Sequence, residues 1–259
     1  MGRPITRGAL IRVAGALGLS VLLGGAAGCG AAVVPPDAAP SRDAVERVHR
    51  VLDGLRDLPD GLSDRPRDPW RAPFRAADAR CRLMLGAAGS PPREGMAATA
   101  GASFTGDGLA ETAGVRVTEY DGEARALRHF AAIAAAMGGC TEAVGRGAGV
   151  RDRLAVSPLS LDTPGRLEAV ALRGRVGGYP YRLHLVVARS GRTLITLAHG
   201  GIAAPGRERT ERIVRLLLDE TEARMTASGP VAPGGAARPF GWRVSGRPDA
   251  ARTRTPAAL

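Results

Sequence analysis

The chain has 259 residues, enough for one domain with a sizeable core and flanking segments. It carries 36 arginines, no lysine, asparagine or glutamine, and a formal net charge of +11. Much of this positive charge lies at the two ends of the chain, and aromatic residues make up only 3% of it. Nucleic-acid-binding surfaces usually combine clustered basic residues with aromatic side chains that stack on bases. The composition therefore argues against nucleic-acid binding. The arginine-rich skew resembles that of a GC-rich coding sequence. A basic surface beside a membrane would suit anionic lipid headgroups.

Residues 1–28 have the order of a secretory signal peptide. Arg3, Arg7 and Arg12 form a basic leader, and the uncharged stretch 13–28 follows. Its 16 residues fall short of the roughly 20 that span a bilayer. Small residues then lead into Cys29, which resembles the cysteine of a bacterial lipobox. We expect removal of residues 1–28 and acylation of Cys29, which would anchor the protein in membrane lipid. Secretion without lipid, and a buried structural cysteine after a cytosolic helix, are the alternatives.

Composition divides the rest of the chain into three parts. Residues 29–40, rich in Ala, Val, Pro and Gly, suit a tether. Residues 41–226 form the predicted domain. Residues 227–259 are rich in Gly, Pro, Ala and Arg without a periodic apolar face, which predicts a disordered basic tail. Phe240 and Trp242 are the exceptions there, and a short docking element is the alternative.

Apolar spacing predicts four helices in the domain. Ser41 can cap the first, which runs to about residue 56. A short helix over 76–85 carries Cys81. The clearest helix starts at Asp121 and is expected to stop at Gly138 and Gly139 through a left-handed exit. The last runs over about 206–225.

Candidate strands cover 96–104, 115–120, 153–156, 167–176, 181–189 and 193–198. Gly177 and Gly178 suit a tight hairpin turn. Apolar and polar residues alternate over 181–187, which indicates one core face and one partly wet face. We therefore predict a single α+β domain: an antiparallel sheet of about five strands, with a C-terminal meander, packed on one face by two long helices.

Three cysteines are present. If Cys29 takes the lipid, Cys81 and Cys140 remain as an even pair in an oxidising compartment, which predicts a disulfide between them. Two buried free thiols are the alternative. Neither cysteine has CxxC or His-x-x-x-His spacing, which argues against a metal site.

Several segments together resemble one known family. They are an early helix leading into Leu58-Pro59-Asp60-Gly61, the cysteine at position 81, the block 115–120, the helix ending in Met137-Gly138-Gly139-Cys140, and the hairpin segment 185–191. In order and spacing, residues 45–225 are similar to the extracellular sensor-like domains of the actinobacterial PknH-type family. That family occurs on receptor kinases and as free lipoproteins. The resemblance implies an extracellular sensing role and transfers no catalytic residue.

Catalytic motifs are missing from the sequence. It contains no Gly-x-Ser-x-Gly elbow, Walker loop or HExxH, and we predict neither enzymatic activity nor a cofactor or metal. Asp107 and Asp162 are isolated acids in the sequence. His184 and His199 could be neighbours on adjacent strands, and Tyr179, Arg182 and His184 are candidate ligand contacts.

Two functions follow from these observations. The first is a non-catalytic lipoprotein on the extracytoplasmic face of the cell membrane that senses or binds a small molecule or an envelope protein. The alternative is a carrier of lipid or another apolar molecule between the sheet and its helices. A carrier should have an unusually large apolar pocket, and a sensor a modest cleft with convergent polar groups.

Overall fold

The computed structural model describes residues 41–55, 58–145 and 152–226. The predicted leader 1–28, tether 29–40 and tail 227–259 lie outside the described residues, as does Cys29.

Four helices occur in these ranges: α1 Arg42–Asp53, α2 Ala79–Gly89, α3 Glu123–Gly139 and α4 Arg207–Thr226. Ser41 caps α1 as predicted, and its side-chain oxygen accepts a hydrogen bond from the Ala44 amide. Asp78 caps α2 by accepting from the amides of Arg80 and Cys81, so this helix starts later than residue 76. The predicted left-handed exit of α3 is wrong. The helix continues through Gly139, and Cys140 follows with φ −97°.

The strands are β1 Met96–Thr105, β2 Thr112–Tyr120, β3 Glu142–Val144, β4 Arg153–Pro158, β5 Arg166–Val176, β6 Tyr179–Ser190 and β7 Thr193–Gly201. They form an antiparallel sheet in the order β1-β2-β7-β6-β5-β4-β3. The predicted α+β class is confirmed, but the described sheet has seven strands rather than about five. β3 was missed because three residues are too few to show alternation.

The turn between β5 and β6 is the predicted tight one. Gly177 and Gly178 have φ values of +57° and +84°. Two successive residues with positive φ are what a type I′ hairpin turn needs, and glycine adopts them without steric cost.

Helices cover both faces of the sheet, which corrects the predicted packing on one face. Leu183, Leu185 and Val187 of β6 lie in a core shared with α2 and α3. Val186 and Ala188 of the same strand lie in a second core shared with α4. A third core packs α1 against β1 and β2. On the face expected to be partly wet, Val186 and Ala188 are buried under α4, while Arg182 and His184 remain half-buried.

The predicted disulfide between Cys81 and Cys140 is confirmed, with Cα atoms 5.1 Å apart and a sequence separation of 59. It joins the first turn of α2 to the end of α3 on one face of the sheet. Both cysteines are buried.

In the described ranges, no helix is both long and apolar enough to cross a membrane.

Candidate functional site

A cleft of about 770 Å³ lies on the α2 face of the sheet. Its walls are the loop preceding α2 and α2 itself, and Arg116 of β2 reaches it from the sheet. The described lining residues are Pro69, Arg71, Ala72, Phe74, Arg75, Ala76, Arg82, Leu85, Gly86, Gly89, Ser90 and Arg116. We call this space the main cleft.

Two aromatic side chains hold the wall loop against the sheet. Trp70 and Phe74 are each 9% exposed and belong to the α2–α3 core. A Cβ atom at Gly114 of β2 would collide with the Trp70 side chain, and one at Gly145 would collide with the Phe74 ring. Glycine at both positions lets the rings lie directly on the backbone, which fixes the wall of the main cleft.

Four arginines line the main cleft. Arg116 donates through Nε to the Ala88 carbonyl, at 2.9 Å, and burial lowers the pKa of this guanidinium. Arg82 donates to the carbonyls of Ala76 and Ala77, each at 3.0 Å. Arg71 and Arg75 are exposed at the rim. Within the described part of the chain, none of the four makes an ion pair with a carboxylate.

The lining therefore combines apolar surface with uncompensated positive charge. Aliphatic carbons and an aromatic ring can contact an apolar body, while guanidinium groups can donate paired hydrogen bonds to a carboxylate or phosphate. The described lining residues include no His, Cys, Asp or Glu. This set of groups is suited to binding an anion.

A second, smaller cleft of about 280 Å³ lies on the α4 face. Two of the three predicted ligand contacts, Arg182 and His184, line it together. Tyr179 does not line this cleft, because it lies next to the hairpin turn and is 71% exposed.

A buried hydrogen-bonded network lies behind His184. His184 and His199 are register partners on β6 and β7, as expected from the sequence. The Nδ1 atom of each ring lies 2.9 Å from Thr210 Oγ1 on α4. His199 Nε2 lies 2.8 Å from Glu111 Oε1. His199 and Thr210 are both fully buried.

Glu111 ends this network in an ionised state. Burial alone would raise the pKa of its carboxyl, but hydrogen bonds from His199, the Gly108 amide and Arg209 outweigh it and lower the pKa to about 2. Arg209 Nη1 also donates to Asp107, at 2.9 Å, so Asp107 is not isolated in the fold. Asp162 likewise engages α4, through its amide, which donates to Glu211.

Both histidines are neutral. Burial, together with the smaller effect of the nearby His199, lowers the pKa of His184 to about 4. Burial also lowers the pKa of His199, against the opposing effect of its hydrogen bond to Glu111. The described residues contain no group of three His, Cys, Asp or Glu side chains that could hold a metal.

Sequence reasoning missed most of these residues. The four cleft arginines belong to no motif, and they stand out poorly in a chain with 36 arginines. Glu111 and Thr210 lie 88 and 11 residues from His199 in sequence. Only the strand alternation gave a usable signal, because it placed His184 and His199 on neighbouring strands.

Comparison with known proteins gives a likeness at the level of the fold. The sequence matches no protein-family model and no curated protein. The fold is similar to the crystal structure of the extracellular domain of PknH from Mycobacterium tuberculosis, with a TM-score of 0.50 and 10% identity over 73% of this chain and 100% of that one. A weaker likeness, with a TM-score of 0.39 and 12% identity, links 67% of this chain to 96% of an uncharacterized protein from Mycobacterium smegmatis. The PknH-like fold predicted from the sequence is thus supported, and the likeness extends to the fold alone.

Proposed function

We propose that this protein is a non-catalytic, extracytoplasmic binding domain of the sensing type, whose main cleft takes an anionic molecule with an apolar body. One observation carries the proposal: four arginines line a cleft of about 770 Å³ whose remaining lining is largely apolar, and none of them is paired with a carboxylate in the described residues. The volume lies in the range of small-molecule sites.

Unpaired charge in the main cleft favours an anionic ligand over a neutral one. Burying a guanidinium without a counter-charge costs free energy. Arg116 is half-buried, and among the described residues its side chain donates to a single partner, the Ala88 carbonyl. A ligand carboxylate or phosphate beside it would offset that cost, and the exposed Arg71 and Arg75 could close on the same group.

The carrier of a lipid or another apolar molecule remains the alternative function. Phe74, Leu85 and the small residues of the lining support it, because they offer a surface for an acyl chain. The two functions differ in one measurable respect: a carrier of apolar molecules should not require a negative charge on its ligand.

Membrane attachment is part of the same proposal. We place the domain outside the cytoplasmic membrane of an actinobacterium, tethered by residues 29–40 and lipid on Cys29. The basic leader and small residues before Cys29 support this placement, as does the disulfide, since disulfides persist mainly in oxidising compartments. The fold shared with a PknH extracellular domain is consistent with it. A sensing role also requires a partner, and we propose an envelope protein that recognises the domain when its ligand is bound.

Binding of a matched pair of fluorescent probes tests the proposal. We expect purified protein to bind a long-chain fatty acid more tightly than its methyl ester. Replacing both Arg71 and Arg75 with alanine should weaken binding of the acid about tenfold or more, since a hydrogen bond to a charged group contributes about 1.5–3 kcal/mol, and leave the ester unchanged. The control variant removes two exposed arginines outside the cleft, Arg42→Ala with Arg166→Ala.

Equal affinity for acid and ester would reject the anionic ligand and favour the carrier. Failure of both probes to bind saturably would reject the main cleft as a site for amphipathic molecules.

A further inference from the structure

We propose a second ligand site, on the opposite face of the sheet, in which Arg173, Arg182 and His184 bind a phosphate group that still carries a proton. The site is the cleft of about 280 Å³ beside α4. Inorganic phosphate and small phosphate monoesters share the required chemistry. This site uses no residue of the main cleft and does not depend on the function proposed for it.

The register of three strands shapes the site. Ser157, Ala171 and His184 are successive partners across β4, β5 and β6, so their side chains lie on the same face. Ala171 is small, which leaves a gap between its two neighbours. Ala204 and Pro205 line the same cleft from the segment that precedes α4.

Two arginines bring positive charge to one end of this gap. Arg173 and Arg182 are direct partners on β5 and β6, one pair further along the same face. Like charges directly opposite each other on antiparallel strands are destabilising. In the described part of the chain, neither side chain has a hydrogen-bond or ion-pair partner. An anion between them would offset their repulsion and accept paired hydrogen bonds.

The N-terminus of α4 adds to the positive field. This 20-residue helix begins at Arg207, two residues after Pro205. The N-terminal end of a helix carries a partial positive charge that stabilises nearby anions.

The buried network fixes what His184 can offer a ligand. Ionised Glu111 can only accept, so neutral His199 carries its proton on Nε2 and donates it to Glu111. The Thr210 hydroxyl then has two acceptors within reach, His199 Nδ1 at 2.9 Å and the Gly206 carbonyl at 3.1 Å. With its one proton donated to either of them, Thr210 can only accept from His184 Nδ1. The proton of neutral His184 is therefore on Nδ1, and its Nε2 lone pair is an acceptor.

A hydrogen-bond acceptor, His184 Nε2, beside the cations Arg173 and Arg182 favours an anion that also carries a proton. The arginines need negatively charged oxygens, while His184 Nε2 needs a hydrogen-bond donor. A phosphate group that keeps at least one proton supplies both. Sulfate, with the same tetrahedral shape, has no proton at neutral pH and would face the lone pair of Nε2 with an unprotonated oxygen.

Calorimetric titration with phosphate and with sulfate, at about pH 6 where His184 is neutral, tests this site. We expect phosphate to bind at least about tenfold more tightly than sulfate, because an acceptor left without its donor costs about 1–3 kcal/mol, and 1.4 kcal/mol is tenfold in affinity. Glycerol 3-phosphate is the second arm: tighter binding than inorganic phosphate would indicate a phosphate monoester, and weaker binding the free ion.

Variants separate charge from proton recognition. Arg182→Ala should weaken phosphate binding by about tenfold or more, while Arg42→Ala, on the exposed surface of α1, should not. His184→Gln should reduce the preference for phosphate over sulfate, because an amide can turn either its donor or its acceptor toward the ligand. Unchanged binding of the fatty-acid probe, or an unchanged unfolding midpoint, shows that a variant is folded.

Three results would overturn the proposal: no phosphate binding at millimolar concentrations, equal affinity for phosphate and sulfate in the unmodified protein, or full phosphate affinity in Arg182→Ala.

Discussion

His199 is completely buried, yet both of its ring nitrogens are hydrogen-bonded, one to Glu111 and one to Thr210. Buried polar groups are tolerated when every donor and acceptor has a partner, and such networks then favour one arrangement of the core. Here the network joins the loop before β2, two central strands and α4. Removing a member would leave a buried polar atom without a partner.

The neutral state of His184 leads to a prediction about stability and pH. Its pKa is lowered to about 4 in the fold, against about 6.5 for an unperturbed histidine. Between these values the unfolded chain binds a proton that the folded protein does not. The free energy of unfolding should therefore fall as pH drops from about 6.5 to about 4, and this histidine should have no effect above that window.

Urea unfolding midpoints across this range measure the effect. The decrease should be smaller in His184→Gln, because its side chain does not titrate. It should be unchanged in His49→Gln, which alters an exposed histidine of α1. The same pH dependence in His184→Gln as in the unmodified protein would contradict the assignment.

The sequence could not predict contacts between single residues that lie far apart along the chain. The alternation over 181–187 was enough to predict that His184 and His199 are neighbours on adjacent strands. Nothing in the sequence could indicate that Glu111 and Thr210 complete the network, because their positions depend on how the loop and α4 pack on the sheet. The four arginines of the main cleft could not be predicted to lie together, because their positions also depend on how the loop and α2 pack on the sheet.

At the scale of elements, α2 and α3 are joined by the disulfide and form the cover over one face of the sheet. α2 also forms a wall of the main cleft, so its position matters for binding. The disulfide closes a loop of 59 residues in sequence separation. In the loop-entropy account, a cross-link of this span stabilises the fold mainly by restricting the unfolded chain.

Removing the cross-link should therefore be costly. We expect the double variant Cys81→Ser with Cys140→Ser to lose about 4 kcal/mol in the free energy of unfolding, measured by urea denaturation. The double change avoids the free thiol that either single change would leave. Unmodified protein treated with a reductant provides an independent comparison. A loss below about 1 kcal/mol would show that the disulfide contributes little to stability.

Local chemistry predicted the elements better than it predicted their packing. Caps and turns are read from adjacent residues, and Ser41 and the Gly177-Gly178 turn behave as their chemistry indicates. The face that a strand buries depends on helices far away in sequence. The partly wet face predicted from the alternation of β6 is seen at Arg182 and His184, but not further along the strand, where α4 buries Val186 and Ala188.

At the scale of the whole molecule, the sheet separates two clefts of different chemistry. Arg116 of β2 reaches the main cleft from the α2 face, and His184 of β6 reaches the smaller one from the α4 face. A ligand in one cleft need not displace a ligand in the other. Binding at the two proposed sites can therefore be measured separately.

Anchoring to the membrane is also a property of the whole chain. We expect metabolic labelling with a palmitate analogue to mark the unmodified protein and not Cys29→Ser, because the thiol of Cys29 is the expected site of acylation. Cys81→Ser with Cys140→Ser is the control, since these cysteines are paired in the fold, and it should be labelled like the unmodified protein. Equal labelling of Cys29→Ser would reject the anchor.

If the main cleft is the ligand site, filling it should abolish binding, and Gly86 allows this to be tested most directly. Gly86 lies inside α2 and lines the cleft, and a Cβ atom there meets no other atom within 4 Å. Leucine at this position should fill the cleft while favouring the helix, since glycine inside a helix costs about 1 kcal/mol. Gly138→Leu, at an open position of α3 outside the lining, is the matched control.

The decisive measurement is the affinity for the fluorescent fatty acid, taken together with the unfolding midpoint. The main-cleft account predicts that Gly86→Leu loses binding while its midpoint stays the same or rises, and that Gly138→Leu binds like the unmodified protein. Full affinity in a well-folded Gly86→Leu would contradict the account, because the ligand would then bind elsewhere.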